Sequence, residues 1–151
     1  MAKDTISFAL GSGTPSIPAG FSSGTALPPL THPVVIDGSS GGATRVELNG
    51  NDAGANANGL TLSGGSSTIS DLVINRFTGD GIRIDTSGGN RVQGNRIGTE
   101  VTGGATVPNS RSGVLVSGGL SNVVGGTVAG ARNLISGNAE HGLSIVDRSR
   151  G

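Results

Sequence analysis

Few residues in this chain have the chemistry for acid–base, metal or nucleophilic work. Cysteine is absent and histidine occurs twice, so neither thiolate chemistry nor a disulfide is available. One group of charges is Asp80, Arg83 and Asp85, set around the aliphatic pair Ile82 and Ile84. A metal-assisted elimination needs clustered carboxylates to hold a hard cation, with Arg or Lys as base. These three residues supply the types, but alternation with Ile82 and Ile84 turns Arg83 and Asp85 outward together. They read as a surface ion pair, worth ~0–1 kcal/mol. They are also the candidate ligand contacts, and no metal site is assigned. His141, ahead of Gly142, holds the place that Asp80 holds ahead of Gly81. Asn58 and Ser112 hold the same place ahead of Gly59 and Gly113, so the four form one polar column.

The element that positions these residues is a repeated phrase, a polar residue and Gly followed by an alternating aliphatic pair. It reads Asn58-Gly59-Leu60-Thr61-Leu62, Asp80-Gly81-Ile82-Arg83-Ile84, Ser112-Gly113-Val114-Leu115-Val116 and His141-Gly142-Leu143-Ser144-Ile145. Alternation is the period of a strand with one buried face. The glycines recur after 22, 32 and 29 residues, which is the signature of a repeat architecture with loops of unequal length at its corners. A single coil buries too little to fold alone, so stacking of coils is the stabilising event.

A second phrase ends in Gly-Asn, clearest at Asn90-Arg91-Val92-Gln93-Gly94-Asn95 and Asn133-Leu134-Ile135-Ser136-Gly137-Asn138. Ser70 to Asn75 and Ser121 to Gly126 are weaker copies. Asn75, Asn95 and Asn138 all follow this strand, and a single stacked corner would superpose them as a structural ladder. Asn suits such a corner because it tolerates left-handed backbone and its amide reaches the coils on either side.

The run Gly94-Asn95-Arg96-Ile97-Gly98-Thr99-Glu100-Val101-Thr102-Gly103 continues through Gly113 to Gly119, Asn122 to Thr127 and Asn133 to Asn138. It resembles the repeats of secreted bacterial proteins in the right-handed parallel β-helix (pectate-lyase-like) superfamily, with Glu100 where those repeats usually have Asp. The resemblance covers residues 34 to 146. It implies the fold and a secreted or cell-surface location. His141-Gly142-Leu143-Ser144-Ile145 also resembles a His-Gly-[Leu/Ile]-Ser-Ile segment of polygalacturonase-type glycoside hydrolases, and Asp80-Gly81-Ile82 resembles their Asp-Gly-Ile segment. That likeness makes Asp80 and His141 the catalytic candidates. An inverting hydrolase needs an acid and a base spaced to admit water. The Asp pair that the family carries on the coil between these segments is replaced here by Arg111-Ser112-Gly113, and the downstream Arg-Ile-Lys segment is missing.

Composition agrees with a narrow solenoid. There is no Trp or Tyr and only three Phe, so the core is expected to be Val, Ile and Leu. Gly and Pro make up roughly 23 per cent of the chain, just under the low-complexity range. Net charge is zero without a basic stripe, which gives no indication of a nucleic-acid partner. No apolar run reaches membrane-spanning length. No Thr-x-Thr occurs, which removes a flat threonine array for ice binding. Met1-Ala2-Lys3 opens no signal peptide and reads as a mature segment behind an added start codon.

The expectation is an all-β fold, a right-handed parallel β-helix (β-solenoid) of about five coils. Residues 1–33 form an irregular Pro/Gly-rich entry or capping segment, 34–146 the helix and 147–151 a polar tail, with no evident C-terminal cap. The residues favour a non-catalytic structural or adhesive module of a larger secreted or surface protein, with no cofactor. The alternative is a carbohydrate-active enzyme, a polygalacturonase-like hydrolase or polyuronate lyase, or a fragment of one. Expected partners are a second copy joined end to end, or further coils of a parent chain, and a polysaccharide.

Overall fold

The computed structural model describes residues 3–20 and 25–146. Met1, Ala2 and the tail 147–151 lie outside the described residues. Within them the chain forms β1 (Asp4–Ile6), β2 (Ser16–Pro18), β3 (Val34–Asp37), β4 (Val46–Asn49), β5 (Leu60–Leu62), β6 (Thr68–Ser70) and β7 (Leu72–Asn75). These are followed by β8 (Ile82–Asp85), β9 (Arg91–Gln93), β10 (Arg96–Ile97), β11 (Val114–Ser117), β12 (Val123–Val124), β13 (Leu134–Ile135) and β14 (Leu143–Val146). No α-helix occurs among the described residues, and no helix there is long and apolar enough to cross a membrane.

The strands assemble into three parallel sheets. Sheet A runs β1-β3-β6-β9-β12, sheet B runs β2-β4-β7-β10-β13 and sheet C runs β5-β8-β11-β14. Coils two to five each contribute one strand to each sheet in the same order, and the first coil contributes strands to sheets A and B. This is a three-sided parallel β-helix of five coils. The right hand is the one that the crossover preference of parallel strands favours. The first coil comes from the Pro-rich segment: β1 pairs with β3, β2 with β4, and Leu30 bridges to Leu62. Residues 4–6 and 16–18 therefore extend the ladders below residue 34.

Alternation decides which residues face in. β3, β4 and β8 each show buried and partly exposed residues in strict succession. In sheet C, register places Leu60, Ile82, Val114 and Leu143 in one inward column and Leu62, Ile84, Val116 and Ile145 in the other. The first three members of each column are buried. Leu143 and Ile145 belong to the last coil, nothing among the described residues stacks on them, and they remain exposed. The core also holds an aromatic residue beside the expected aliphatics, since Phe77 is fully buried at the corner after β7. Gly50 makes room for its ring: a Cβ there would lie 2.4 Å from Phe77 Cγ.

Insertions are confined to the corners that flank sheet B. The corner from sheet C to sheet A spans five residues each time, at 63–67, 86–90 and 118–122. The corner from sheet B to sheet C varies, and its longest loop, 98–113, carries the antiparallel bridge between Thr99 and Thr106.

Candidate functional site

Sheet C carries the candidates because the repeat Gly brings successive coils into close contact just ahead of β5, β8 and β11. A Cβ on Gly59 would sit 2.3 Å from the Gly81 carbonyl oxygen. One on Gly81 would sit 2.6 Å from Ile97 Cγ2, and one on Gly113 would sit 2.4 Å from Ile135 Cγ2. None of the four repeat glycines has positive φ. Their selection is steric, set by the neighbouring coil, unlike corner residues such as Gly94 and Gly137, which are left-handed.

The residue before each repeat Gly reaches along the stack. Asn58 Oδ1 accepts the Asp80 N–H at 2.9 Å, and Asp80 Oδ1 accepts the Ser112 N–H at 3.1 Å. Gly113 N–H donates to the His141 carbonyl at 2.8 Å, so His141 continues the column through its backbone. Its side chain is exposed on the last coil. Asp80 and His141 stand two coils apart, about 9.6 Å along the stack at ~4.8 Å per step.

Asp80 is the one buried carboxylate of the group, with its side chain 3% exposed. Burial pushes its pKa up, opposed by the Ser112 N–H and by the positive charges of Arg83 and Arg111. Its Oδ2 has no hydrogen bond and lies 3.7 Å from Arg83 Nη1. The guanidinium turns mainly to Asp85, through Nε at 3.0 Å and Nη2 at 3.1 Å. That bidentate bond holds the Arg83 pKa above its ordinary value. The outward pair expected between Arg83 and Asp85 is present, and Asp80 joins it from behind.

Register places Leu115 and Ser117 of the next coil beside Arg83 and Asp85, so β11 adds no carboxylate to the face. Of the two carboxylates that are there, Asp85 is hydrogen-bonded to the Arg83 guanidinium and Asp80 faces it as an ion pair at 3.7 Å. Among the described residues, no group of three His, Asp or Glu side chains is placed to hold a metal ion. A shallow cavity of about 370 Å³ lies elsewhere, near Asp4, Leu30 and His32 on the first coil.

The asparagine ladder differs from the single superposed corner expected for Asn75, Asn95 and Asn138. Each belongs to a different column. Asn95 Oδ1 accepts the Leu72 N–H, and the Asn95 amide donates to Asn133 Oδ1 at 3.2 Å. Asn138 stacks instead on Asn109, whose Nδ2 donates to Asn138 Oδ1 at 2.9 Å. Asn75 lies within β7, where its amide donates to Glu47 Oε1 at 2.8 Å and to the Thr99 carbonyl at 3.1 Å. A fourth column joins Ser67, Asn90 and Asn122 at the entry to sheet A. The two copies of the Gly-Asn phrase fall on different sheets, Asn90–Asn95 entering sheet A and Asn133–Asn138 entering sheet B, which is why their terminal asparagines do not superpose. Asn90, Asn109, Asn122 and Asn133 are the ladder members that phrase alignment missed.

The inserted loop has its own organising group. The Glu100 carboxylate accepts the Thr102 N–H at 2.7 Å, the Gly104 N–H at 2.7 Å and the Thr102 hydroxyl. These donors hold its pKa down at about 2. The Glu100 carboxylate thus closes the turn over residues 100–105. Comparison with known proteins found no match to this chain among family models, curated proteins or solved structures.

Proposed function

We propose that the chain is a non-catalytic structural or adhesive β-helix module of a larger secreted or surface protein, akin to the pectate-lyase-like superfamily that its repeats resemble. The observation that carries this reading is that the charged groups of sheet C are engaged with the stack or with one another. Asp80 caps the Ser112 N–H of the next coil, and Arg83 is closed bidentately by Asp85. In the adhesive form of the reading, Arg83 and Asp85 are the side chains presented to a polysaccharide.

One observation favours the second reading, a polyuronate hydrolase or lyase. A general acid needs a raised pKa, and burial raises that of Asp80. Against it, the Arg83 guanidinium lies between Asp80 and the neighbouring carboxylate of Asp85, where a hydrolase would hold its water. The test is incubation of the purified chain with polygalacturonate. No new reducing ends and no unsaturated product are expected. Product that disappears in His141→Ala or Asp80→Asn would establish the enzyme reading instead.

A further inference from the structure

We propose that the open face of the last coil is a self-complementary docking surface for a second copy of this chain. The two copies join about a twofold axis, and all three sheets continue antiparallel across the interface.

The inference starts from which backbone groups the last coil leaves unpaired. Val114 N–H donates to the Gly142 carbonyl, with Val114 in register with Leu143. Along a parallel strand the bonding groups alternate. Ser144 therefore turns its N–H and C=O back to β11, while Leu143 and Ile145 turn theirs to the outer edge. On β12, Val123 and Gly125 donate to coil four, through the Asn90 and Val92 carbonyls, which leaves the groups of Val124 facing outward. On β13, Leu134 and Ser136 donate to the Asn95 and Ile97 carbonyls, which leaves those of Ile135 facing outward.

A twofold axis perpendicular to sheet C, lying just beyond the outer edge of β14 opposite Ser144, reverses strand direction while keeping the interior side of the sheet. It sets β14 against its own copy and exchanges sheets A and B, so β12 meets the partner's β13. Centred on Ser144, the register opposes Leu143 to Ile145 and Ile145 to Leu143. Both are inward residues, and both present N–H and C=O to the edge. The exchanged strands oppose Val124 to Ile135 in the same way, and the two strands have the same length, two residues each. Each outward-facing backbone group on three edges thus meets its complement in a single operation.

Chemistry agrees with an identical partner. β12, β13 and β14 carry no charged side chain, so the strands themselves bring no like charges together. They also lack the Lys, Pro or bulge that blunts an edge strand. Leu143 is 45% exposed and Ile145 73% exposed, although both stand in core columns. A twofold contact closes at two copies, whereas stacking of the last coil on the first coil of another chain would grow into a filament.

The register makes a direct test possible. Ser144 faces its own copy as a non-hydrogen-bonded pair, with Cα atoms ~4.5 Å apart, inside the about 4.4–6.8 Å range of a disulfide. The chain has no cysteine of its own. Ser144→Cys should cross-link to a covalent dimer under mild oxidation, while Thr5→Cys on β1 at the opposite end stays monomeric. The unmodified chain should sediment as a dimer that dissociates on dilution, and Ile145→Lys should sediment as a monomer at every concentration. Three outcomes overturn the proposal: a monomer at all concentrations, a dimer that Ser144→Cys fails to trap, or assemblies larger than two. The proposal does not rest on the non-catalytic reading. Cleavage of polygalacturonate would overturn that reading and leave this one standing.

Discussion

Ile145 and Ile84 stand in one inward column, each in register with Val116, yet Ile84 is fully buried and Ile145 is 73% exposed. The same side chain at the same place in the repeat differs only in whether a coil lies beyond it. Stability should follow that difference. Ile84→Ala is expected to cost about 2–5 kcal/mol. Ile145→Ala, at a dilution where the chain is monomeric, should cost less than ~1 kcal/mol, since little area is lost. Urea unfolding of the two variants compares them, and equal losses would mean that the last coil is covered.

The repeat glycines provide a second paired comparison. Gly81→Ala forces a Cβ to within 2.6 Å of Ile97 Cγ2 and 2.7 Å of the Gly113 carbonyl. At Gly142 the nearest atom to a Cβ is Ile135 Cγ2, at 3.7 Å. Gly81→Ala should destabilise by ~1–3 kcal/mol through overpacking, and Gly142→Ala should leave the melting temperature nearly unchanged. Thermal unfolding reads both.

Asp80 gives the chain a pH dependence of definite sign. Burial raises its pKa above the ordinary 3.8. A raised acid contributes stability in full below its unfolded pKa and loses it as pH rises through the folded pKa. Asp80→Asn keeps the Oδ1 acceptor for the Ser112 N–H, as Asn58 does for Asp80 one coil earlier. The variant should melt a few degrees higher at pH 7 and lack the decline toward neutrality. A lower melting temperature would show that the attraction of Arg83 outweighs the cost of burial.

Glu100 titrates in the opposite sense. Its depressed pKa means that the loop is held above the unfolded value of 4.5 and is released only as pH falls through about 2. The Gly104 amide should stay protected from solvent exchange at pH 4 in the parent chain. In Glu100→Gln it should exchange faster at pH 4, with the unfolding midpoint of the stack unchanged. A shifted midpoint would tie the loop to the fold as a whole.

The architecture was legible because it rests on the period-two alternation around Ile82, Ile84, Val114 and Val116, which survives any change in corner length. The pairing of Arg83 with Asp85 was legible for the same reason. The ladder was not. Asn95 and Asn138 sit in the same local phrase but on different corners, because a strand of sheet A and a strand of sheet B both end against stacked amides and left-handed glycines. Local chemistry of that kind does not number the sheets. Phe77 was missed because its burial depends on the space left by Gly50, 27 positions earlier in the chain. Asp80 was placed in the right column, but its burial depends on the coils packed on either side.

The central claim is that the polar column of Asn58 and Asp80 is directed into the stack and that unsatisfied bonding remains along the outer edge of the last coil of sheet C. Hydrogen exchange along β14, measured below the concentration at which the chain associates, tests this most directly. The Ser144 and Val146 amides should exchange slowly and those of Leu143 and Ile145 quickly, an alternation fixed by the Val114–Gly142 bond and the register of β11 with β14. Slow exchange at all four positions in the monomer, or at none of them, would contradict the account.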